Sequence, residues 1–545
     1  MGTISIMLAM MAAVIVSAVI VRMLPLAVPT PLVQIALGAV IATASGHAVR
    51  LAPDIFFLLF LPPLLFLDGW RIPKEGLLRD KGVILELALG LVIFTVLGMG
   101  FLIHWMIPTM PLAVSFALAA IVSPTDPIAV SAITARAPIP KRVMHVLEGE
   151  SLLNDATGLV CFRFAVAAAV TGTFSPYAAA GTFAQLAIGG VSAGVASTFV
   201  IMRVKNRVSA RFGEESGSHV LLSLLVPFVA YQLAEHLGCS GILAAVAAGI
   251  TMSYLEMSGE ALGATRMQRA AVWDTLQFAL NGVMFVLLGE QLPGILSGAV
   301  ATVQESNHEN PWWLVVYVLA INFGLAALRF IWVWASVRFS AFVSQLRGRH
   351  GAPKPTLRLI AAVSVAGARG AITLAGVLTL PLAIAGDAAF PARNLAIFLA
   401  AGVIIMTLMA AGLFLPRLAR NLDMPSEPSE QDETELARVL AAEAAIRAIE
   451  QTQHELAANQ NDADIYAEAA ARVMVQYRRR IDGVAQTGET AARMRRGNEI
   501  EKRLRLAAVR AEREVIFALG RSQRISDGNA RQLVREVDLV EERLR

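Results

Sequence analysis

The sequence predicts an all-α polytopic membrane protein of about thirteen transmembrane helices with inverted repeats and two broken helices, plus a cytosolic helical tail. Three observations predict it. Of the 545 residues, 56% are hydrophobic and 16% are charged, against roughly 45–50% and 25% in a soluble domain. The apolar residues fall in runs that can cross a hydrocarbon core of ~30 Å, which takes roughly 20 residues of helix. The loops between these runs are alternately basic and bare.

In order, the runs cover about 4–22, 28–46, 51–70, 82–104, 111–135, 142–171, 179–202, 218–237, 239–255, 270–293, 311–337, 357–384 and 393–416. The first is long enough to be a span in its own right, and no cleavable signal peptide is evident. The cut at Gly238 rests on a single residue, and a re-entrant hairpin would look similar. Trp70, Trp105, Trp312 and Trp313 fall near span ends, as interfacial aromatics do.

Basic residues mark every second loop. They are Arg71, Lys74, Arg79 and Lys81; then Arg136, Lys141 and Arg142; then Arg203, Lys205, Arg207 and Arg211; then Arg266 and Arg269; and last Arg338, Arg347, Arg349, Lys354 and Arg358. The alternate loops, at 107–111, 171–177 and 304–311, are bare or acidic. Basic loops face the cytoplasm, so the N-terminus is expected outside and the C-terminus inside, in a bacterial inner (plasma) membrane.

The net charge of +4 implies no nucleic-acid partner, because excess positive charge on a membrane protein sits in its cytoplasmic loops. Cys161 and Cys239 both lie in apolar runs and suggest no disulfide framework. From about residue 424 the composition changes. DMPSEPSEQD reads as a linker. Helical stretches follow at about 433–456, 463–482, 487–519 and 526–544, with heptads too broken for one long coiled coil. They read as a solvated cytosolic domain, compatible with a regulatory or dimerising role.

Charge inside an apolar span costs roughly 2.5–3.5 kcal/mol at the helix centre and tends to mark function. Asp126 lies in the fifth span, Glu150 and Asp155 in the sixth, Arg329 in the eleventh and Arg369 in the twelfth. Glu86, Arg163 and Glu290 are expected nearer span ends or interfaces. In EGESLLNDATG (148–158), Glu150 and Asn154 are four apart, as are Ser151 and Asp155. The helix therefore offers two carboxylates, an amide and a hydroxyl along one stripe. These are hard oxygen donors suited to alkali cations. There is no His/Cys cluster for zinc and no Gly-rich phosphate loop, so no cofactor is expected.

Pro124 and Pro127 flank Asp126 in SPTDPIAV (123–130) and cannot both continue a regular helix. Freed carbonyls at membrane depth must line a cavity or pair within the protein. In a broken helix, such carbonyls and half-helix C-terminal ends can coordinate cations. Asp126 is then either a counter-charge to a half-helix N-terminus or a direct cation ligand. A second interruption, AGARGAITLAG, carries Gly367, Gly370 and Gly376 around Arg369, which can offset the negative helix end. Paired interruptions in two halves point to inverted repeats, spans four to six and eleven to thirteen, with the site between them. The bland alternative is that the glycines only allow close packing.

SPTDP, ESLLND (150–155) and GARGAI (367–372) resemble the signatures of the sodium/proton exchanger family, the electroneutral branch of the monovalent cation/proton antiporter superfamily. LPPLLFLDGW (61–70) and FVLLGEQ (285–291) resemble further family segments, and the likeness spans about residues 1–420. The resemblance implies a thirteen-helix fold with two crossed broken helices. It also implies a homodimer, with a mobile core (82–171 and 311–416) and a dimerisation part (1–70 and 179–293). Residues 421–432 then form the linker, and 433–545 a cytosolic helical regulatory tail.

By the same resemblance, Asp155 is the cation- and proton-binding aspartate, and Asn154 replaces an aspartate of electrogenic relatives. Thr125 and Asp126 form the unwound stretch, and Ser151 is a further ligand. Asp155 and Asp126 would hold Na+ or K+. Glu150 is a structural carboxylate paired with Arg329. Asp68 stands near acidic funnel residues of relatives and is not assigned a role.

These readings converge on a monovalent cation/proton antiporter. Desolvation penalises an ionised carboxylate, so a buried Asp155 needs either a proton or a partly dehydrated cation. Competition at that one group would couple the two gradients, one cation for one proton, by alternating access. Three alternatives remain at this level: a cation channel using the same oxygens, K+/H+ rather than Na+/H+ exchange, and a receptor with a vestigial transport core. An intramembrane aspartyl protease is disfavoured, because no G-x-G-D motif surrounds Asp155. No enzymatic activity is expected. The expected partners are the lipid bilayer, monovalent cations and protons, and a second copy of the chain.

Overall fold

The computed structural model describes residues 2–24, 28–45, 53–126, 141–172, 176–213, 215–256, 263–305, 312–346, 356–381, 389–419, 430–457, 463–485 and 489–544. The chain divides into two compact units, Met1–Met424 and Pro425–Arg545.

The first unit is all-helical: α1 (Gly2–Met23), α2 (Thr30–Ser45), α3 (Pro53–Arg71), α4 (Lys74–Arg79), α5 (Lys81–Met106), α6 (Leu112–Val122), α7 (Lys141–Thr171), α8 (Pro176–Phe212), α9 (Ser216–His236), α10 (Gly241–Glu256), α11 (Gly263–Glu305), α12 (Trp312–Leu346), α13 (Leu357–Val365), α14 (Ala371–Leu378) and α15 (Arg393–Ala419). Among the described residues, eight helices are long and apolar enough to cross a membrane: α1, α5, α7, α8, α9, α11, α12 and α15. The shorter apolar helices include α2, α6 and α10.

Several helices overrun the expected spans. α8 has 37 residues, about 55 Å at 1.5 Å per residue. Its last turns carry Arg203, Lys205, Arg207 and Arg211, which the sequence placed in a loop. Arg266 and Arg269 likewise sit on α11, and Arg338 on α12. The hydropathy run ends where charge begins, but the helix does not. Arg136 lies outside the described residues. At Gly238 the backbone turns through a φ of +67°, a left-handed conformation that glycine adopts without strain. It separates α9 from α10 as two helices.

Close approach is made possible by glycine where backbones cross. A Cβ at Gly289 would overlap the Ile35 carbonyl, joining α11 to α2. Gly90, Gly98 and Gly324 accept Trp332, Leu328 and Met99 respectively, so α5 and α12 run antiparallel. α5 also contains a π-helical turn, Glu86–Leu91, which the sequence does not announce. The main core gathers Leu61, Met99, Leu118, Ile121, Val286 and Ile321 from helices far apart in the chain.

Trp70 lies at the end of α3, where its Nε1 donates to Glu256 Oε2 at 2.9 Å and the Arg269 guanidinium lies over its ring. One sequence expectation changes here. Glu290 is 1% exposed in the middle of α11, not at a helix end.

The second unit contains α16 (Glu430–Ala457), α17 (Ala463–Ala485), α18 (Glu489–Arg521) and α19 (Asp527–Leu544). α16 packs on α17, and α18 on α19. The latter pair buries Val509, Ile516 and Val537. Arg513 bridges to Asp538 at 2.7 Å and to Glu541.

Candidate functional site

Two helix breaks build the site by pairing with each other. α6 ends at Val122, and Ser123–Asp126 leave the helix just where Pro124 removes a backbone donor. α13 ends at Val365, and Ala366–Gly370 are non-helical before α14 begins. The Asp126 amide donates to the Ala368 carbonyl at 2.7 Å. The Arg369 Nε donates to the Val122 carbonyl at 2.9 Å, and its Nη1 to the Gly367 carbonyl. Arg369 is 4% exposed. Its guanidinium therefore lies at the C-terminal ends of both half-helices, where freed carbonyls carry negative partial charge. Its amide is held in turn by Thr407 Oγ1 at 3.1 Å.

Asp126 sits over the start of α14. A Cβ added at Gly370, the residue before that helix, would overlap the Asp126 carboxylate. The carboxylate thus faces a helix N-terminus, as a counter-charge would, and it also lines the cavity described below. The two roles left open by the sequence are both compatible with this placement. Gly370→Ala should displace this carboxylate and cut transport roughly 10–100-fold, the scale of an ångström misplacement. Gradient-driven flux in vesicles, beside an unchanged elution profile, is the check.

α7 supplies the opposing face. Ser151 Oγ donates to the Thr125 carbonyl at 2.7 Å, and Asn154 Nδ2 to Thr125 Oγ1 at 3.1 Å. Thr125 Oγ1 in turn lies 3.4 Å from Glu150 Oε1. Gly158 is crossed by Pro124, which seats the break against α7. Glu150 and Arg329 form a two-pronged ion pair at 2.5 and 2.6 Å, and Arg329 Nε donates to the Val363 carbonyl at 3.1 Å. Both side chains are buried.

The stripe read from spacing therefore divides. Ser151 and Asp155 line a cavity of about 40 Å³ together with Thr125 and Asp126. Glu150 turns to Arg329. Asn154 is not among the cavity-lining residues; it fixes Thr125 instead, and its Oδ1 has no hydrogen-bond partner among the described residues. Asp155 is 6% exposed. Among the described residues its carboxylate makes no hydrogen bond.

Three polar cavity-lining residues have no role assigned from the sequence: Asp68 of α3, Asn281 of α11 and Thr373 of α14. Asp68 stands near acidic funnel residues of relatives but carries no assigned role in the sequence, and Asn281 has no local signature; only the tertiary crossing brings them to Asp155.

Asp68, Ser151 and Asn281 also line a vestibule of about 670 Å³, which reaches Arg71, His145 and Glu148. It opens at the C-terminal end of α3 and the N-terminal end of α7. A second cavity of about 740 Å³ lies at the other ends of those helices, beside Leu58, Leu159, Phe162 and Thr171. Among the described residues, none of its lining side chains reaches the small cavity. The small cavity therefore shares Asp68, Ser151 and Asn281 with the first vestibule and, among the described residues, no lining residue with the second. Arg163 and Glu235 stand 3.5 Å apart beside this second cavity.

Such an arrangement can hold one desolvated monovalent ion among oxygens, or a proton on a carboxylate. Among the described residues, no group of three or more His, Cys, Asp or Glu side chains is arranged to hold a metal ion.

Comparison with known proteins agrees with this chemistry. The family model described as "Sodium/hydrogen exchanger, transmembrane" matches residues 10–421. The uncharacterized Na+/H+ exchanger YjcE of Escherichia coli is 40% identical, over 96% of each chain. A sodium, potassium, lithium and rubidium/H+ antiporter of Bacillus subtilis is 42% identical, over 76% of this chain and 61% of its own. The solved structure of the sodium proton antiporter MjNhaP1 from Methanocaldococcus jannaschii superposes with a TM-score of 0.55 at 17% identity. That match covers 77% of this chain and 98% of the archaeal one and concerns the fold.

Proposed function

This chain belongs to the sodium/hydrogen exchanger family, and we propose that it exchanges one monovalent cation for one proton, both passing through the carboxylate of Asp155. It is an integral membrane protein and a monovalent cation/proton antiporter, a transporter by family. What is proposed is the mechanism, the stoichiometry and the roles of residues.

One observation carries the reading: a nearly inaccessible carboxylate, without a hydrogen bond among the described residues, faces a 40 Å³ cavity that continues into a vestibule. A carboxylate so placed is expensive as a bare anion. A cation or a proton relieves that cost, but one displaces the other. Thr125, Asp126 and Ser151 complete the cation's oxygens. Glu150 is neutralised by Arg329, and Asn154 carries no charge. Of the three carboxylates that line the cavity, Asp68, Asp126 and Asp155, Asp126 faces the N-terminus of α14 and the cycling role is assigned to Asp155, which gives electroneutral 1:1 exchange.

In this reading the core (82–171 and 311–416) moves against the dimerisation part (1–70 and 179–293), carrying Asp155 from one vestibule to the other. The thirteen-span count, the homodimer, the outside N-terminus, the bacterial inner membrane and a regulatory role of the tail all belong to the same proposal. Basic residues on Arg71, Lys74 and the end of α8 support a cytoplasmic vestibule. Na+ is the primary substrate proposed. K+ is favoured as a second by the range of ions in the name of the Bacillus subtilis relative.

The functional test is a proteoliposome carrying an imposed Na+ or K+ gradient. Uphill proton movement is expected, insensitive to a clamped voltage. A channel would let the cation through without driving protons uphill. Acidification should raise the apparent KM for the cation by about tenfold per pH unit where protonation dominates, because protons occupy the shared site. Vmax at saturating cation should be unchanged. A falling Vmax at constant KM would place the titrating group elsewhere.

A further inference from the structure

We propose that Asn281 is a specificity-determining cation ligand, contributed by the body that does not carry Asp155, and therefore present only while the site faces the α3–α7 vestibule. The inference rests on the antiport mechanism proposed above and extends its ligand set.

Asn281 lines both the vestibule and the 40 Å³ cavity, so it stands where one narrows into the other. The volumes matter. One water needs about 10–15 Å³ of such space, so a cavity of 40 Å³ holds only a few waters, and a cation entering it from a vestibule of 670 Å³ must shed part of its shell. Protein oxygens must replace those waters at the narrowing, or the ion meets a desolvation barrier. The core supplies Thr125, Asp126, Ser151, Asp155 and Thr373. The facing wall is α3 and α11, and its polar contributions to the cavity are Asp68 and Asn281.

α11 presents Asp274, Gln277 and Asn281 to the vestibule, at helical spacing. The first two are already engaged: Asp274 pairs with Arg71, and Gln277 Oε1 accepts from Arg71 Nη1 at 2.8 Å. Asn281 lies one turn deeper, and among the described residues its amide makes no hydrogen bond. Its oxygen is thus free for an ion. An amide oxygen is neutral, so it can coordinate without adding a further carboxylate beside Asp68, Asp126 and Asp155, and without taking up the proton itself. When the core moves away, this ligand stays behind. The ion then loses one oxygen at the opposite vestibule, which favours its release there.

Three variants test this in vesicles of both orientations, with isotopic cation uptake measured from each face. Asn281→Leu keeps the branched outline and removes the oxygen but is larger, so Asn281→Ala, which removes the oxygen without added bulk, is read beside it. Asn281→Leu should raise the cation KM from the α3–α7 vestibule roughly tenfold, the weight of one contact to a charged group. Vmax and the KM from the other face should stay near wild type. Asn281→Ser loses volume but keeps an oxygen, and should fall between Leu and wild type. Asn281→Ala should behave as Leu. The order of Na+, Li+ and K+ affinities should flatten in Leu and Ala, because the removed oxygen no longer sorts ions by size.

If Asn281 only fills space, Ser and Ala, which are alike in size and differ in the oxygen, will behave alike, which overturns the proposal. Equal KM changes from both faces also overturn it. Wild-type vesicles run in parallel separate the two claims: absence of exchange in them defeats the antiport mechanism, whereas normal exchange with an unaffected Leu variant defeats only the role of Asn281.

Discussion

Asp155→Asn is expected to abolish cation/proton exchange while the protein still folds. The substitution keeps the shape of the side chain and removes its ability to alternate between a proton and a positive partner. Among the described residues the Asp155 carboxylate makes no hydrogen bond, so the variant breaks no native contact. It also removes the cost of an ionised group that is 6% exposed in an apolar core. Thermal stability should be equal or higher. Flux should fall to that of empty vesicles, a loss of at least roughly a hundredfold, because the group proposed to carry both ions is gone. Glu at this position keeps the chemistry but adds a methylene to a cavity of about 40 Å³. Asp155→Glu should therefore keep some exchange with an altered cation affinity. Sustained antiport in the Asn variant would mean that the gradients are coupled elsewhere.

Glu150→Ala is expected to be damaging for a different reason. It leaves the Arg329 guanidinium, 3% exposed, without its partner. Breaking a buried pair from one side costs about 3–5 kcal/mol, because a charge is stranded in low dielectric. The geometry amplifies this. The pair is two-pronged at 2.5 and 2.6 Å, and Arg329 also holds the Val363 carbonyl near the end of α13. It therefore joins α7, α12 and the half-helix before the second break. Loss of the clamp should lower the melting temperature in detergent and reduce the yield of folded protein. Replacing both partners by apolar residues, as in Glu150→Leu with Arg329→Met, should recover much of that stability, since no bare charge then remains. A Glu150→Ala protein that melts like wild type but does not transport would instead place Glu150 in the transport chemistry.

Much of the fold was legible because the bilayer imposes a simple grammar: apolar length, breaks, and the sign of the loops. Pro124, Pro127 and the glycines around Arg369 announced two interruptions, and α6, α13 and α14 end or begin at them. The pairing of Arg369 with Val122 follows from the same electrostatics that suggested it. What the pattern could not carry was the continuation of helices beyond the apolar run, as in α8, because hydropathy reports solvent rather than backbone. Nor could it carry the π turn at Glu86–Leu91, which shifts a helix face without changing composition.

The site was legible in part. Spacing put Ser151 and Asp155 on one line, and both line the cavity. The same spacing placed Asn154 and Glu150 beside them, whereas the structure turns Asn154 to Thr125 and Glu150 to Arg329. A helical stripe has width, and what lies opposite decides which edge of it becomes cavity. Asp68 and Asn281 stand more than two hundred residues apart and meet only through tertiary packing of α3 and α11 around the broken helices. No local motif encodes that meeting.

The central claim is that a cation and a proton exclude one another from Asp155. Its most direct test is proton release on cation binding to purified, detergent-solubilised protein in weak buffer. The claim predicts that Na+ added at a pH where the carboxyl is protonated liberates about one proton for each ion bound. It also predicts that the apparent Na+ affinity weakens as pH falls, and that Asp155→Asn releases none. Na+ bound with undiminished affinity at low pH, and with no proton released, would contradict it.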